Sequence, residues 1–493
     1  MERSKKYIFL IIIFSLLVRI FLIDKIPAEM WGDVNEHFQY AREILNGNLR
    51  YKFWGGDGPI FDYLVAIFFK IFGYSFEIIK LTTAFLGVLI IYLSYVISKK
   101  LSNKKLIYYL TPFLMSFSFW LISFSRQAKP YILVLLFVEL FLYFFLNKKY
   151  FLSGIILGVG LFAQSSFWGM MFLIFFNWKI FLSALPFVIF LFFNEIKPEI
   201  LNNNLSYLGE KTGKYLSFNT KIINFFSNVF DNFQSYFFRG DVVFRHNIPY
   251  QPVLDIFSSI IFFIGFIIFI KEFIKNKKIR FNYIVIFLVF IFSQLASFLD
   301  IANPQNSPSF GRMIGSAFFI YFILAKGLVF LYEKIKSKNL LLSKLFLIIY
   351  LSFYAIFNFY NYFFIYPQTL PNKNIPFGRL IVEDIIKNYN KSNSKIFLFT
   401  CCWGEWGQPE PKSIENYLIS KKYSYFNNYI FIYDYEELIN LIDINKSKKI
   451  IIYTNPFITN FNYSFFQNKK INLQIQKLIF NDQLVSNKII LTN

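Results

Sequence analysis

Residues 29–45 read EMWGDVNEHFQYAREIL and follow directly on the first long apolar run of the chain. If a helix begins at Asp33, then Asp33, Glu36, His37 and Tyr40 stand at i, i+3, i+4 and i+7 and share one face. A polar helical face in an otherwise greasy chain points at something other than hydrocarbon. Its meaning depends on which side of a membrane it occupies.

That there is a membrane follows from composition. The 493 residues are 56% hydrophobic, 22% aromatic and only 16% charged, with a mean hydropathy of +0.46, which excludes an ordinary soluble domain and fits a polytopic membrane protein. The formal charge of +22 does not argue for nucleic acid, because the Lys and Arg residues fall in short clusters between apolar runs rather than on one amphipathic face. The two cysteines, Cys401 and Cys402, are adjacent and imply no disulfide framework.

Apolar runs that approach the ~20 residues needed to span a bilayer lie near 7–23, 78–97, 106–124, 131–147, 152–165, 166–178, 180–194, 253–270, 281–299, 313–332 and 341–365, about eleven in all. The first has the basic start of a signal peptide but no Ala-x-Ala cleavage pattern, so it is expected to stay as an anchor. The clusters ERSKK at the start, KKLSNKK at 99–105, NKK at 147–149, KEFIKNKKIR at 271–280 and the Lys-rich 334–344 fall on one side if the spans alternate. By the positive-inside rule that side is the cytoplasm. The outer side then holds 24–77, 125–130, 195–252, 300–312 and everything from about 366, including both histidines, His37 and His246.

Beyond 365 the apolar runs shrink to strand length. KIFLFT, YIFIYDY, KKIIIYT and KIILT read as strands, with helices near 377–390, 412–421 and 435–443, so the expectation is a transmembrane domain over 1–365 and an extracytoplasmic α/β domain over 366–493. The loop CCWGEWGQPEP at 401–411 carries two tryptophans that either stack on sugar rings or pack beneath the loop. The polar face at 33–40 likewise has a plain reading. It suits an interfacial amphipathic helix with Phe38, Ile44 and Leu45 turned to the membrane.

The pattern Asp33, His37, Ala41, Ile44, Leu45, Gly47 resembles the first outer loop of membrane glycosyltransferases of the GT-C fold. The resemblance is to bacterial relatives of dolichyl-phosphate-mannose protein mannosyltransferases and lipid A aminoarabinose transferases, that is, glycosyltransferase family 39-like proteins. It continues through GDGPIFDYLVAIFFKIFGYSFEIIKLTTAFLGVL, SRQAKPYILVLL at 125–136, RGDVVFRHNIPYQPVLDIFSSIIFFIGF at 239–266 and FGRMIGSAFFIYFILAKGL at 310–328. Each motif is loose, and their order and sidedness together are the specific part. The resemblance implies a mainly α, polytopic helical fold and transfer of a sugar from a polyprenyl-phosphate carrier to an acceptor lipid, glycan or protein at the outer face, among membrane lipids and without nucleic acid.

That chemistry assigns roles. An acceptor hydroxyl must lose a proton as it attacks, and Asp33 matches the family's catalytic aspartate as general base, with Glu36 on the same face. The departing lipid phosphate gains charge, which outer-side cations stabilise. Arg126, Lys129, Arg239, Arg245 and Arg312 are candidates, each equally readable as a headgroup anchor. His246 is a candidate hydrogen-bond donor to the phosphate, and Asp57 in GGDGP is a further acid, although Asp-Gly is first a turn signal. The sequence departs from the family where relatives carry a second acid, here Val34, and where His37 replaces a usual Tyr. No cofactor is required, though Asp33, Glu36 and His37 together would suit a divalent cation. Rival readings are a lipid or polysaccharide transporter or flippase, disfavoured by the scarcity of charges inside the spans, with Lys326 and Arg19 as exceptions able to reach an interface, and a non-catalytic protein of surface-glycan assembly.

Overall fold

A computed structural model describes residues 2–30, 32–197, 216–371, 373–389, 394–399, 411–421, 429–432, 435–444, 449–454 and 472–492. Two compact units emerge. Unit 1 comprises Met1–Ile23, Asn48–Leu64 and Lys80–Thr369, and unit 2 comprises Asp24–Gly47, Val65–Ile79 and Leu370–Asn493. The helices in chain order begin with α1 (Glu2–Ile20), α2 (Asp33–Leu45), α3 (Ile60–Phe72), α4 (Phe76–Leu101), α5 (Lys105–Phe117), α6 (Phe119–Phe124), α7 (Tyr131–Leu146), α8 (Tyr150–Gly160) and α9 (Trp178–Leu191). They continue with α10 (Phe218–Ser235), α11 (Ile256–Lys275), α12 (Lys277–Phe292), α13 (Ala317–Lys336), α14 (Leu340–Tyr360), α15 (Phe377–Tyr389), α16 (Pro411–Ser420) and α17 (Tyr435–Ile444).

Every apolar run marked in the sequence is helical, but not every one is a single long helix. Six stretches are long and apolar enough to cross a membrane: Phe76–Leu101, Trp178–Ile196, Ile256–Lys275, Lys277–Phe298, Ile314–Lys336 and Leu340–Thr369. Their burial separates their roles. Within its most apolar window Ile314–Lys336 is 89% buried and sits at the centre of unit 1, whereas Leu340–Thr369 is 17% buried and leaves most of that window uncovered by protein. The expected span at 106–124 is broken at Ser118, whose extended backbone ends α5 and whose hydroxyl caps α6 by accepting from the Leu121 amide at 3.3 Å. The run at 166–178 winds as a 3-10 helix, Ser165–Phe176, rather than an α-helix.

Two helices were not anticipated. α3 lies in the stretch assigned to an outer loop, and its 13 residues, carrying Asp62 and Lys70, are too few and too charged to read as a span. α10 is inverted: Phe218, Phe226, Phe230 and Phe233 are exposed, while Asn228 and Asn232 are buried. The Asn228 amide donates to the carbonyls of Phe298 at 3.2 Å and Asp300 at 3.1 Å, and Asn232 donates to Ser307 Oγ at 2.8 Å. Aromatics outside and amides inside suit a helix whose solvent is lipid.

Packing in unit 1 depends on small residues and paired charges. α11 and α13 approach where Gly265 and Gly327 face each other's backbones, and a Cβ at either would collide with the carbonyl of Ile323 or Ile261. Lys326 and Arg19, expected to reach an interface, are instead buried in protein at 3% and 1% exposure. The Lys326 ammonium bonds Glu272 Oε2 at 2.5 Å and Tyr283 Oη at 2.9 Å, and Arg19 donates to Ser15 Oγ at 2.6 Å. Lys326 thus meets an opposite charge, whereas Arg19 meets only hydroxyl and carbonyl oxygens, those of Ser15 and Ser116.

Unit 2 contains a five-stranded sheet in the order β2-β1-β3-β5-β4, with β1 (Ser394–Phe399), β2 (Tyr429–Ile432), β3 (Lys449–Thr454), β4 (Asn472–Phe480) and β5 (Gln483–Thr492). β1 pairs parallel to β2 and β3, while β5 joins β3 and β4 antiparallel. Phe397, Ile432, Ile450, Ile452, Ile489 and Leu491 form its core with Leu438 and Ile442 of α17. β4 was missed in the sequence because it is an edge strand whose residues are mostly exposed, so Gln and Lys break up the continuous apolar run that marks the other strands. The 401–410 part of the cysteine and tryptophan loop lies outside the described residues.

Candidate functional site

In unit 2 the segment Asp24–Gly47 and the C-terminal segment are built into one another. Glu29 is 2% exposed, and its carboxylate accepts from the amides of Met30 at 3.1 Å and Gly378 at 2.8 Å and from the Ser413 hydroxyl. Tyr417 Oη donates to the Ala28 carbonyl at 3.2 Å, and the Asn374 side chain brackets the same loop, accepting from the Ala28 amide at 2.8 Å and donating to the Lys25 carbonyl at 2.7 Å. This lattice fixes where α2 begins. Gly32 precedes it at φ +34, a backbone angle that disfavours a side chain, and Asp33 is the first helical residue. The sequence reading missed Glu29; a lone acid among apolar and aromatic residues in IPAEMWG was the available signal.

On α2 the expected polar face is only partly what the structure presents. Glu36 forms an ion pair with Lys412 of α16, and Asn416 of α16 donates to Asn35 Oδ1 at 3.1 Å. His37 is not on the solvated side. It is fully buried with Val34, Asn35, Phe38 and Ala41, because that arc of the helix is the one covered by protein. Phe38 packs against Phe69 at 5.0 Å between ring centroids, whereas Ile44 and Leu45, expected to join it, are only half-buried. With Glu36 turned to Lys412 and His37 inward, the trio does not converge. Among the described residues no group of three His, Cys, Asp or Glu side chains is placed to hold a metal ion.

Unit 1 gathers some of the remaining candidates and separates others. Arg126 is fully buried, and its guanidinium donates to the carbonyls of Val18 at 3.2 Å, Arg19 at 2.7 Å, Phe21 at 2.7 Å and Leu22 at 2.9 Å. It closes the C-terminus of α1, where those oxygens have no helical partner. Nearby in sequence, Gln127 Nε2 donates to the Arg245 carbonyl at 2.5 Å, as does Tyr366 Oη at 2.9 Å, and Ser123 Oγ donates to the His246 carbonyl at 3.3 Å. The segment after residue 125 and the Arg245–His246 loop are thereby tied together. Arg312 instead pairs with Asp300, and Arg239 lies exposed over the Tyr250 ring at 4.8 Å. Asp57 closes a tight turn with Trp54, exchanging backbone hydrogen bonds of 2.8 and 3.0 Å.

His246 acquires a partner that the sequence did not disclose. Its Nδ1 lies 3.3 Å from Asp241 Oδ2, and Asp241 also accepts from the amides of Val243 at 2.7 Å and Phe310 at 2.8 Å. Phe124 and Tyr131 enclose the ring at 5.3 and 5.5 Å. Burial lowers the histidine pKa, Asp241 opposes the shift, and the Lys129 and Arg245 charges reinforce it. The neutral ring therefore uses its Nδ1 proton on Asp241 and leaves Nε2 with a lone pair. Donation to a phosphate, the role expected of His246, requires a second proton there.

Fold and placement together define a polytopic helical membrane protein with the GT-C architecture. The chain is similar in structure to ArnT from Cupriavidus metallidurans, a lipid A aminoarabinose transferase. The TM-score is 0.52 at 9% identity for the apo state and 0.50 at 10% identity for the form bound to undecaprenyl phosphate, each over 99% of this chain and 98% of that one. An oligosaccharyltransferase from Archaeoglobus fulgidus aligns at a TM-score of 0.49 and 12% identity over 88% of this chain and 64% of its own. No protein-family model and no curated protein matches the sequence.

Proposed function

We propose that the chain is a membrane glycosyltransferase that moves a sugar from a polyprenyl-phosphate-linked donor to an acceptor hydroxyl at the outer face of the membrane. The main support is the full-length likeness to ArnT, one of whose structures holds undecaprenyl phosphate, in a chain that places a carboxylate, Asp33, on the first turn of α2. In this reading Asp33 takes the acceptor's proton. The Glu36–Lys412 pair and the Glu29 lattice hold its helix. Lys129 and Arg245, whose charges both act on His246, receive the lipid phosphate as it departs. The paired burial of Arg19 and Lys326 weighs against a transport pathway, since neither charge is left to line one.

The test is incubation of purified protein with a panel of polyprenyl phosphate sugars, with mass spectrometry of released polyprenyl phosphate. Arg245→Ala is expected to lower donor efficiency about ten- to a hundredfold, the range for losing one hydrogen bond to a charged group. Arg245→Lys recovers only part, because an ammonium lacks the planar fork. Unchanged efficiency per folded molecule in Arg245→Ala removes this residue from the phosphate site.

The same reading places the N-terminus in the cytoplasm and the C-terminal region outside. Asn219→Cys and Asn276→Cys, both at exposed positions, report on this in a background lacking Cys401 and Cys402. An impermeant thiol reagent applied to intact cells is expected to label the first and not the second. The opposite pattern reverses the orientation and rules out outer-face transfer.

A further inference from the structure

α10 carries three different strips around its axis. Asn224, Asn228 and Asn232, at i, i+4 and i+8, turn into unit 1 and bond the segment that follows α12, with Asn224 Nδ2 on the Ile301 carbonyl at 2.9 Å. Phe226, Phe230 and Phe233, at i, i+4 and i+7, are 65%, 66% and 52% exposed, and exposed Ile222 and Ile223 extend that strip towards the N-terminus. Ser227, Asp231 and Gln234 form the third strip and bond one another. Ser227 Oγ donates to Asp231 Oδ2 at 3.3 Å, and Gln234 Nε2 donates to Asp231 Oδ1 at 2.6 Å. An uncovered strip of phenylalanines is unfavourable in water, and a strip built on an aspartate is unfavourable in hydrocarbon. Protein, lipid and water meet along one helix at a membrane surface.

The path of the chain sets the direction of α10. α11, and α12 continued to Phe298, are each long and apolar enough to cross a membrane, and only Asn276 separates them, so the start of α11 and the end of α12 stand on one side. α10 bridges those two ends. Asn228 in its middle bonds the Phe298 and Asp300 carbonyls, while at its C-terminal end the carbonyls of Ser235 and Tyr236 accept from the amides of Val253 and Leu254 at 3.2 and 2.9 Å. A helix laid across two span ends runs along the membrane rather than through it. The phenylalanine strip also continues into α11, since Phe233 meets Phe237 at 5.5 Å between ring centres and Phe237 meets Phe263 at 4.7 Å. Ile260, Phe263 and Ile267 are exposed on a span only 33% buried in its most apolar window, a surface suited to acyl chains. That continuity selects the same occupant for α10.

We infer that α10 is an interfacial helix whose phenylalanine strip is seated in the acyl chains of one bilayer leaflet, and that it holds the loop bearing Arg245 and His246 at the level of the lipid phosphates. The loop leaves α10 after Ser235, returns to it at Val253, and is closed by the Gly240 amide on the Tyr250 carbonyl at 3.0 Å and the Tyr250 amide on the Asp241 carbonyl at 3.1 Å. Its depth therefore follows that of the helix. This second part rests on the transferase reading above, in which the loop receives a lipid phosphate. The experiment places nitroxide labels one at a time through Phe226→Cys, Phe230→Cys, Phe233→Cys, Ser227→Cys and Val242→Cys, all at exposed positions, in the full chain lacking Cys401 and Cys402. The protein is held in nanodiscs of palmitoyl-oleoyl phosphatidylcholine, and power saturation with oxygen and with a nickel chelate reads the depth of each label. The three phenylalanine positions are expected to favour oxygen and to share one depth about 5–10 Å below the phosphates, with Ser227 open to nickel and Val242 near the phosphate level. Nickel access at the phenylalanine positions equal to that at Ser227 puts the strip in water and overturns the inference. So do depths that differ by about 10 Å between positions 226 and 233, the rise of a helix that stands along the membrane normal. Labels shielded from both colliders and broadened by the label of a neighbouring copy assign the strip to a second chain and overturn it too. A Val242 label deep in the acyl chains or in bulk water overturns the placement of the loop. The expected depths in a protein that releases no polyprenyl phosphate from any donor sustain the helix and refute the transferase, whereas release with the strip in water refutes the helix alone.

Discussion

Asp33→Asn is expected to insert, fold and bind donor while losing turnover by a factor on the order of a hundred or more, the range for removing a general base. The amide keeps the carboxylate's shape but cannot take a proton from an attacking hydroxyl. The start of the Asp33 helix is set by other groups: Glu29 on the Gly378 amide, Tyr417 on the Ala28 carbonyl and Lys412 on Glu36. The measurement is polyprenyl phosphate release per folded molecule at saturating donor, alongside a melting curve. Wild-type turnover in this variant moves the base to another acid, with Glu36 and Asp57 next. Glu36 is the weaker of these, since its carboxylate already holds Lys412.

Arg126→Ala is expected to fail earlier, in stability rather than chemistry. Its guanidinium satisfies four carbonyls at the end of α1 and lies 5.3 and 5.1 Å from the Tyr362 and Phe363 ring centres. A buried polar group left unsatisfied costs about 1–3 kcal/mol. With several carbonyls stranded at once, the loss should reach ~3 kcal/mol or more and appear as a lower yield of folded protein and a lower melting temperature in detergent. Arg126→Lys keeps the charge but cannot span the same oxygens and should recover little. A variant that melts like wild type yet uses donor poorly would return Arg126 to the phosphate-binding role inferred from sequence. The helix-closing role rests on the four carbonyls that its Nη1 and Nη2 already meet.

The sequence was legible where one local property decides the outcome. Apolar length announced the helices of unit 1, and short apolar runs of strand length announced β1, β2, β3 and β5, since both lengths are written directly into side-chain order. The helix beginning at Asp33 was readable from the spacing of its polar residues. Where two properties competed, the reading faltered. α10 turns its phenylalanines outward and its asparagines inward, an inversion set by the carbonyls and the hydroxyl that Asn228 and Asn232 meet in the fold. β4 hid its pairing behind Gln and Lys because an edge strand buries little.

What the sequence alone determined is a polytopic helical chain with a distinct α/β segment at its end and a carboxylate on the first turn of the helix that begins at Asp33. Periodicity, hydropathy and motif order suffice for that, because each is a property of neighbours in sequence. Only the tertiary structure decided how these parts work together. It buried His37, turned Glu36 to Lys412, set Arg126 on the end of α1 and gave His246 its partner Asp241. It also wove Glu29 and Asp33 into the same unit as α15 and α16, more than 340 residues away in sequence. The physical reason is common to all of these. A buried polar group must find a partner, and which partner lies within about 3 Å is set by how the chain folds back, not by what stands beside it in sequence.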